Sequence, residues 1–556
     1  MDHRYLTRLC AAAAIAAAAA LTSAAAAGRG GQPTTSSAAV DKLFARWTDS
    51  TPGCAVGVRA GGKTTVTKAY GMADLEHNVS NTPETIFEAG SVSKQFTAAA
   101  VLLLARDGKL SLDDAVRKYV PEVPDYGASL TIRHMLNHTS GLRDWGSVAS
   151  IGGWPRSTRA YTHAHVLDIV SRQRALNFPP GARYSYSNSG YNLAAILVSR
   201  VSGMPFAEFT EKRIFAPLGM TRTSWRDDYR RIVKDRAMAY SESNGEFRTL
   251  MPFENVHGNG GLLTTVGDLL KWNDNFATHV VGDDEFTREQ ETPGRFNDGR
   301  PHGYALGLMV GTRHGLREVA HSGSTAGYRA HLTRFPDQQL SVAVLCNVSS
   351  GNATQYANAV AELYLGDRAK ATADLEATHQ LTAIEADAAT GMFRNTMTGE
   401  AVTVSRAGDG VRVDRTSYVA ASGTRFISEG GGSWELTGAG SAELTDSHGT
   451  VDTFERVTPA RPTIAELQAL SGTYTSADAE TTLAVAVEGE GLVLKRRPDT
   501  VIPLTPLYKD AFDGSIGTIV FRRGAKALEL SVIQDRVWDM RFTRQETAPT
   551  NTAQAQ

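Results

Sequence analysis

Cysteine is nearly missing from this chain, with three among 556 residues. That excludes a disulfide scaffold and a four-thiolate zinc site, both of which need more sulfur. An excess of one charge is missing too. Lysine and arginine number 57 against 59 aspartates and glutamates, a formal net charge of -2. No long-range field gathers phosphates or anionic lipid, and nucleic acid is not an expected partner. No apolar run reaches the roughly 20 residues that a membrane span needs, so no integral span is expected. The longest run, residues 9–21, follows Arg4 and Arg8 and precedes the small residues of 22–27. That order reads as a cleavable secretory signal over 1–27 and implies a secreted or periplasmic protein. G-x-S-x-G and dinucleotide G-x-G-x-x-G fingerprints are absent from the sequence, which excludes an α/β-hydrolase elbow, and no cofactor is expected.

What is present is ordinary for a globular protein, with 42% apolar and 21% charged residues. The length calls for several domains. Residues 28–37 are a Gly/Ser/Thr linker without apolar period. Val40, Leu43, Phe44 and Trp47 then form one helical stripe. β-rich runs at 54–59 and 64–70 flank Gly61-Gly62 as a hairpin. A long helix pattern starts at Ser91 and stops at Asp107-Gly108, and further helices follow over 166–173, 191–201, 206–215 and 265–276. Strand patterns return at 318–321, 330–335 and 340–346, before a helix carrying Tyr356, Val360, Leu363 and Tyr364. A strand hairpin, a helical middle, three strands and a closing helix make an α+β domain over 38–367.

Beyond this domain, short alternating segments punctuated by glycine have the pattern of antiparallel barrels or sandwiches. The region repeats itself: Gly391-Met-Phe393 and Gly472-Thr-Tyr474 share one 81-residue offset with Gly408-Asp-Gly-Val411 and Gly489-Glu-Gly-Leu492. Two tandem β domains, 385–458 and 466–545, follow from that period, with 546–556 as a disordered tail.

Three strings carry chemistry. Ser91-Val-Ser-Lys94 opens a helix, and its spacing puts Lys94 one turn on and on the same face as Ser91. An amine there reaches the hydroxyl, and a helix N-terminus favours the negative charge of an attacking serine; the bland reading of Ser91 is an N-cap. Tyr186-Ser-Asn188 follows Phe178-Pro-Pro-Gly181. A phenol beside cationic lysine would have its pKa lowered and could exchange protons with serine and leaving group, while Asn188 offers a substrate amide both a donor and an acceptor, or else caps the next helix. His321-Ser-Gly323 ends a strand, with Ser324 next. The N–H groups of Ser91 and Ser324 could form an oxyanion pair, and Gly323 permits close approach of substrate. His163-Ala-His165 with Asp168 is not a metal motif, since histidines two apart on a helix point to opposite sides. No metal ligand set is expected.

Occurring in this order, the three strings resemble the serine β-lactamase and penicillin-binding-protein superfamily. The branch most similar holds class C β-lactamases, D-Ala-D-Ala carboxypeptidases, D-aminopeptidases and β-lactamase-like esterases. Phe87-Glu-Ala-Gly-Ser-Val-Ser-Lys94, His138-Thr-Ser-Gly-Leu142, Pro217-Leu-Gly-Met220 and Gly260-Gly-Leu262 support it. The resemblance implies a β-lactamase/transpeptidase-like domain, an antiparallel sheet flanked by helices, followed by two small antiparallel β-barrel-like domains. It implies Ser91 as acylated nucleophile, Lys94 and Tyr186 as the proton-transfer pair, Asn188 as substrate contact and His321 as the strand-borne polar group. Class C enzymes usually carry lysine where His321 stands, and histidine is more similar to the peptidase members. The expected activity is a secreted serine hydrolase acting through an acyl-enzyme on amides of D-amino-acid peptides, its partner a small peptide or ester. An esterase or weak β-lactamase, and a catalytically idle cell-wall or peptide-binding protein, are the alternatives. In the sheet order that the resemblance implies, Cys54 and Cys346 lie on antiparallel neighbours. They are then either a disulfide or two small buried thiols.

Overall fold

The structure is a computed structural model that describes residues 37–370, 378–524 and 527–546. The expected signal segment, residues 28–36 of the linker and residues 547–556 of the expected tail lie outside the described residues. Among the described residues no helix is long and apolar enough to cross a membrane.

Helix α1 (Ser37–Leu43) leads into the hairpin of β1 (Cys54–Ala60) and β2 (Lys63–Tyr70). The helical middle includes α2 (Ser93–Arg106), α3 (Asn188–Ser202) and α4 (Val266–Thr278). Strands β3 (Met309–Arg313), β4 (Leu316–Thr325), β5 (Tyr328–Phe335) and β6 (Leu340–Cys346) follow, then α5 (Ala353–Leu365). The six strands form one sheet in the order β3-β4-β5-β6-β1-β2, with every neighbouring pair antiparallel. Its centre is apolar on both faces because helices cover both. Val56, Val58, Val342 and Val344 share a core with Val40 of α1 and Val360 of α5. Ala55, Ala343 and Leu345, at the alternate positions, join the core that holds Phe96 of α2 and Leu270 of α4. The apolar stripe of α1 continues past its end, where Phe44 stacks between Tyr70 and Tyr356 at 4.8 and 4.6 Å.

Strand β4 is longer than its sequence pattern suggests, and its length bears on the site. The alternation fades after His321 because Ser322 and Ser324 are exposed polar residues, yet the strand continues to Thr325, hydrogen-bonded to β5. The His321-Ser-Gly323 string therefore lies within the strand rather than at its end.

Cys54 and Cys346 are cross-strand partners on β1 and β6 and form a disulfide. The two readings left by the sequence are thereby resolved in favour of the bond. It closes a loop with a sequence separation of 292 residues, and chain-entropy reasoning gives such a loop about 5 kcal/mol of stabilisation. Cys54→Ala should lower the unfolding free energy by up to that amount, and thiol titration of denatured, unreduced protein should find no thiol at either position. Two free thiols there would contradict the bond.

Two closed antiparallel barrels of eight strands each follow, running from Gly391–Asn395 to Val451–Val457 and from Gly472–Ser476 to Val537–Arg544. Their repeat is physical as well as textual. Each barrel is preceded by a seven-residue helix with a reciprocal capping box, Thr382 with Glu385 and Thr463 with Glu466. Each opens on a glycine at positive φ, Gly391 and Gly472, where an arginine from the last strand, Arg456 or Arg544, fills the space a Cβ would need. Phe393, Trp434 and Phe454 fill the first interior, and Tyr474, Phe512 and Phe521 the second.

Both barrels make contacts with the α+β domain. Arg300 donates to the Gly449 carbonyl of the first barrel at 2.9 Å. Arg143, almost wholly buried, pairs with Asp478 of the second at 3.1 Å and donates to the Asp539 carbonyl at 2.6 Å. Asn177 accepts from the Trp538 N–H and donates to the Arg536 carbonyl, both at 3.1 Å. These bonds fix the hairpin tip carrying Arg536 against the domain.

Candidate active site

Ser91 stands in a single 3₁₀ turn, Gly90–Val92, immediately before α2. Val92 is the N-cap of α2 and no side chain caps it, so the Ser91 hydroxyl is left for other work. Lys94, in the first turn of α2, is fully buried. Its Nζ lies 3.2 Å from Ser91 Oγ, 2.9 Å from Asn188 Oδ1 and 2.7 Å from the Asn259 carbonyl. Burial drives its pKa well below the usual ammonium range, the charge of Arg536 pushes the same way, and Asp144 opposes them. The outcome is an amine whose lone pair can point at the serine.

Tyr186 is half-buried, hydrogen-bonded to Ser91, and has Lys94 Nζ 4.7 Å from its ring centroid. The expectation that a lysine charge lowers this phenol is overturned. Desolvation dominates and raises the pKa of Tyr186, and a lysine that loses its proton easily supplies little charge to oppose it. Tyr186 is a phenol throughout ordinary pH, able to donate. Asn188 is the first residue of α3, yet its side chain turns to Lys94 instead of capping. Its backbone N–H is held by the Asp144 carboxylate at 2.8 Å. Asp144 caps the helix Trp145–Ile151 with its other oxygen.

His321 is buried, and burial lowers its pKa to about 3. Its Nδ1 lies 2.6 Å from the Ser322 carbonyl, which can only accept, so Nδ1 carries the hydrogen and Nε2 accepts from Tyr304 Oη at 2.8 Å. It is therefore a neutral link between β4 and Tyr304 rather than a charge. Gly323 and Gly90 allow β4 to lie against the serine turn: a Cβ on Gly323 would run into the Ala89 carbonyl, and one on Gly90, whose φ is +51°, would approach Ser324 N to 2.6 Å. All seven residues singled out in the sequence come together around this turn. Six of them, with the buried Lys94 behind Ser91, line a cleft of about 910 Å³.

Several residues of the site carry no sequence motif. Asn259 and Tyr304 come from loops, the former directly before the string Gly260-Gly-Leu262. Arg536 and His448 come from the barrels. The Arg536 guanidinium lies 4.8 Å from the Tyr186 ring centroid, and His448 stacks on Tyr184 at 4.0 Å. The 81-residue period flagged the barrels but not which loop would enter the cleft. His163 and His165 do local work: His163 Nε2 meets the His257 carbonyl at 2.9 Å, and His165 belongs to the capping box of Thr162.

A family model described as Beta-lactamase matches residues 40–367. The chain is similar to a protein named D-aminopeptidase from Gluconobacter oxydans, 31% identical over 323 residues, covering 58% of this chain and 60% of the relative. A D-aminopeptidase from Brucella canis is 29% identical, with 57% and 60% covered. The match thus spans about three fifths of these relatives' length. Among solved structures, the octameric penicillin-binding protein homologue from Pyrococcus abyssi aligns with a TM-score of 0.54 at 24% identity, over 75% of this chain and 98% of that one. The D-stereospecific amidohydrolase from a Streptomyces species aligns at 0.51 and 23%, over 60% and 99%. At these identities the structural likeness speaks for the fold.

Proposed function

The chain belongs to the Beta-lactamase family, and from that membership we propose that it is a serine hydrolase, with Ser91 forming an acyl-enzyme on amides of D-amino acids or their peptides. The observation that carries the proposal is the buried Lys94 amine 3.2 Å from the Ser91 hydroxyl, with its pKa driven down by desolvation. The D-amino-acid part rests on the names of the relatives at about 30% identity. Secretion by a signal over 1–27 belongs to the same reading.

The chemistry runs in two halves. The Lys94 lone pair takes the Ser91 proton as Oγ bonds the amide carbon, and the carbonyl electron pair moves onto oxygen. The N–H groups of Ser91 and Ser324 are suited to receive that oxyanion. Collapse breaks the C–N bond, and the leaving nitrogen takes a proton from Tyr186, which is replenished from Lys94. Water then attacks the acyl carbon, gives its proton to the same pair, and releases the acid as Ser91 regains its hydrogen. Asn188 does double duty, holding Lys94 with its oxygen and leaving its amide hydrogens for a substrate carbonyl.

Gly323→Ala should lower kcat/KM by about 100-fold, the scale of losing one oxyanion donor, because the added methyl pushes β4 away from the serine turn. Unchanged rates in a correctly folded Gly323→Ala protein would contradict the proposed role of β4. The activity itself is tested by a panel of D-aminoacyl amides, D-Ala-D-Ala peptides, short-chain esters and a chromogenic cephalosporin. The proposal predicts turnover of D-amides or D-peptides that L-enantiomers do not show. Turnover confined to esters or the cephalosporin would favour the esterase or β-lactamase alternative, and none at all the binding protein.

A further inference from the structure

We infer that the cleft selects substrates bearing a free carboxylate over those bearing a free ammonium, with Arg536 of the second barrel and Arg329 of β5 as the selecting groups. This rests on the hydrolase reading and narrows its substrate class. The relatives' name, D-aminopeptidase, would suggest the opposite charge, because an N-terminal residue presents an ammonium beside its scissile bond.

The argument starts from what the cleft contains. Among the described residues that line it there is no aspartate or glutamate, while three arginines do line it. One of these, Arg156, is neutralised by Glu254, whose carboxylate accepts from its Nε at 2.8 Å. The other two lack such a partner. Arg329 donates only to the Ala326 and Tyr328 carbonyls, at 2.9 and 2.7 Å from Nη1, and is half-buried. Arg536 has the Asp535 carboxylate 3.6 Å from its Nε. Asp535 is 93% exposed, so water screens that pair. The Arg536 guanidinium meanwhile lies over Tyr186, inside the cleft, and its field reaches Lys94.

An incoming ammonium would meet two cations and no carboxylate. An incoming carboxylate would meet planar, multi-donor guanidinium groups that suit two-point pairing. The backbone holds the Arg536 side chain at this place independently of its charge, since its carbonyl accepts from the Asp144 N–H at 3.2 Å and from Asn177. The arrangement is thus two guanidinium groups without a close carboxylate partner, both lining the cleft that holds Ser91. A carboxylate can come from two places, the C-terminus of a peptide or the side chain of an acidic D-residue.

The test compares kcat/KM for Nα-acetyl-D-Ala-D-Ala against its C-terminal amide, for Nα-acetyl-D-Glu amide against Nα-acetyl-D-Gln amide, and for both pairs against D-Ala amide, which carries only an ammonium. At least one carboxylate should be preferred by tenfold or more over its neutral partner, and D-Ala amide should be the poorest substrate. The first pair responding points to a C-terminal carboxylate, the second to an acidic side chain. Arg536→Gln and Arg329→Gln should each shrink the acid-to-neutral ratio several-fold, and Arg536→Lys should restore part of it. A best rate for D-Ala amide, or a ratio unchanged in both glutamine variants, would overturn the inference. Where turnover is too slow to measure, protection of Ser91 from a fluorophosphonate probe by the same compounds gives the ratio instead, and equal protection by acid and neutral partners would overturn it as well. Failure of the hydrolase reading looks different: no panel member turned over and no probe on Ser91.

Discussion

Ser91→Ala is expected to abolish turnover, lowering kcat/KM by roughly 10⁴- to 10⁶-fold, the scale on which loss of a nucleophile removes a unit that acts as a whole. The reason is geometric. Ser91 Oγ is the acceptor or donor partner of Lys94 Nζ at 3.2 Å and of the Tyr186 phenol. No other hydroxyl in the described residues shares both partners. The substitution should leave the fold intact, since Ser91 caps no helix and stands in a turn whose shape is set by Gly90. Steady-state kinetics on the best panel substrate, with circular dichroism as the control for folding, checks it. Activity within tenfold of the parent would contradict the assignment.

The second large effect is at Lys94. Lys94→Ala should cost roughly 10²- to 10⁴-fold in kcat/KM, as expected for a general base. Lys94→Arg should not rescue it, because a guanidinium does not give up its proton. The pH dependence follows from the sign of the shift. The amine must be neutral to accept the serine proton, and burial lowers its pKa, so kcat/KM should rise with pH through the lowered Lys94 pKa and reach its plateau below the ordinary lysine range. An acidic limb at an unshifted lysine pKa near 10.5 would contradict the role. His321 should not contribute a limb above about pH 3, where burial keeps it neutral.

These effects hang on residues that were legible in the sequence, and the reason is short range. The three-position step from Ser91 to Lys94 is about one helical turn, so their contact needs no knowledge of the rest of the chain. Tyr186 and Asn188 could be picked out by type, but their consequences could not be. Whether a phenol is raised or lowered depends on how dry its surroundings are, which is a property of packing by Tyr304, His138 and His321 around it. Asn188 at a helix start looks like a cap until the backbone shows that the Asp144 carboxylate holds its N–H.

The fold was legible for the same kind of reason. Alternation and glycine spacing mark strands locally, and the 81-residue offset marks a duplicated barrel without any long-range information. What escaped were contacts between distant segments. Arg536 and Tyr186 are 350 residues apart in the chain, and neither carries a pattern that names the other. The Cys54–Cys346 bond was visible only as a neighbour relation between strands, with geometry deciding whether two thiols or one disulfide resulted.

The central claim is that the reaction passes through a covalent acyl group on Ser91. The most direct measurement mixes the enzyme with an activated ester of Nα-acetyl-D-alanine, quenches with acid on the millisecond to second scale, and reads the intact mass and the modified peptide. The account predicts one added Nα-acetyl-D-alanyl group, located on Ser91, decaying at the rate at which the acid is released. An adduct on another residue, or full-rate hydrolysis in a Ser91→Ala protein that acquires no adduct, would contradict it.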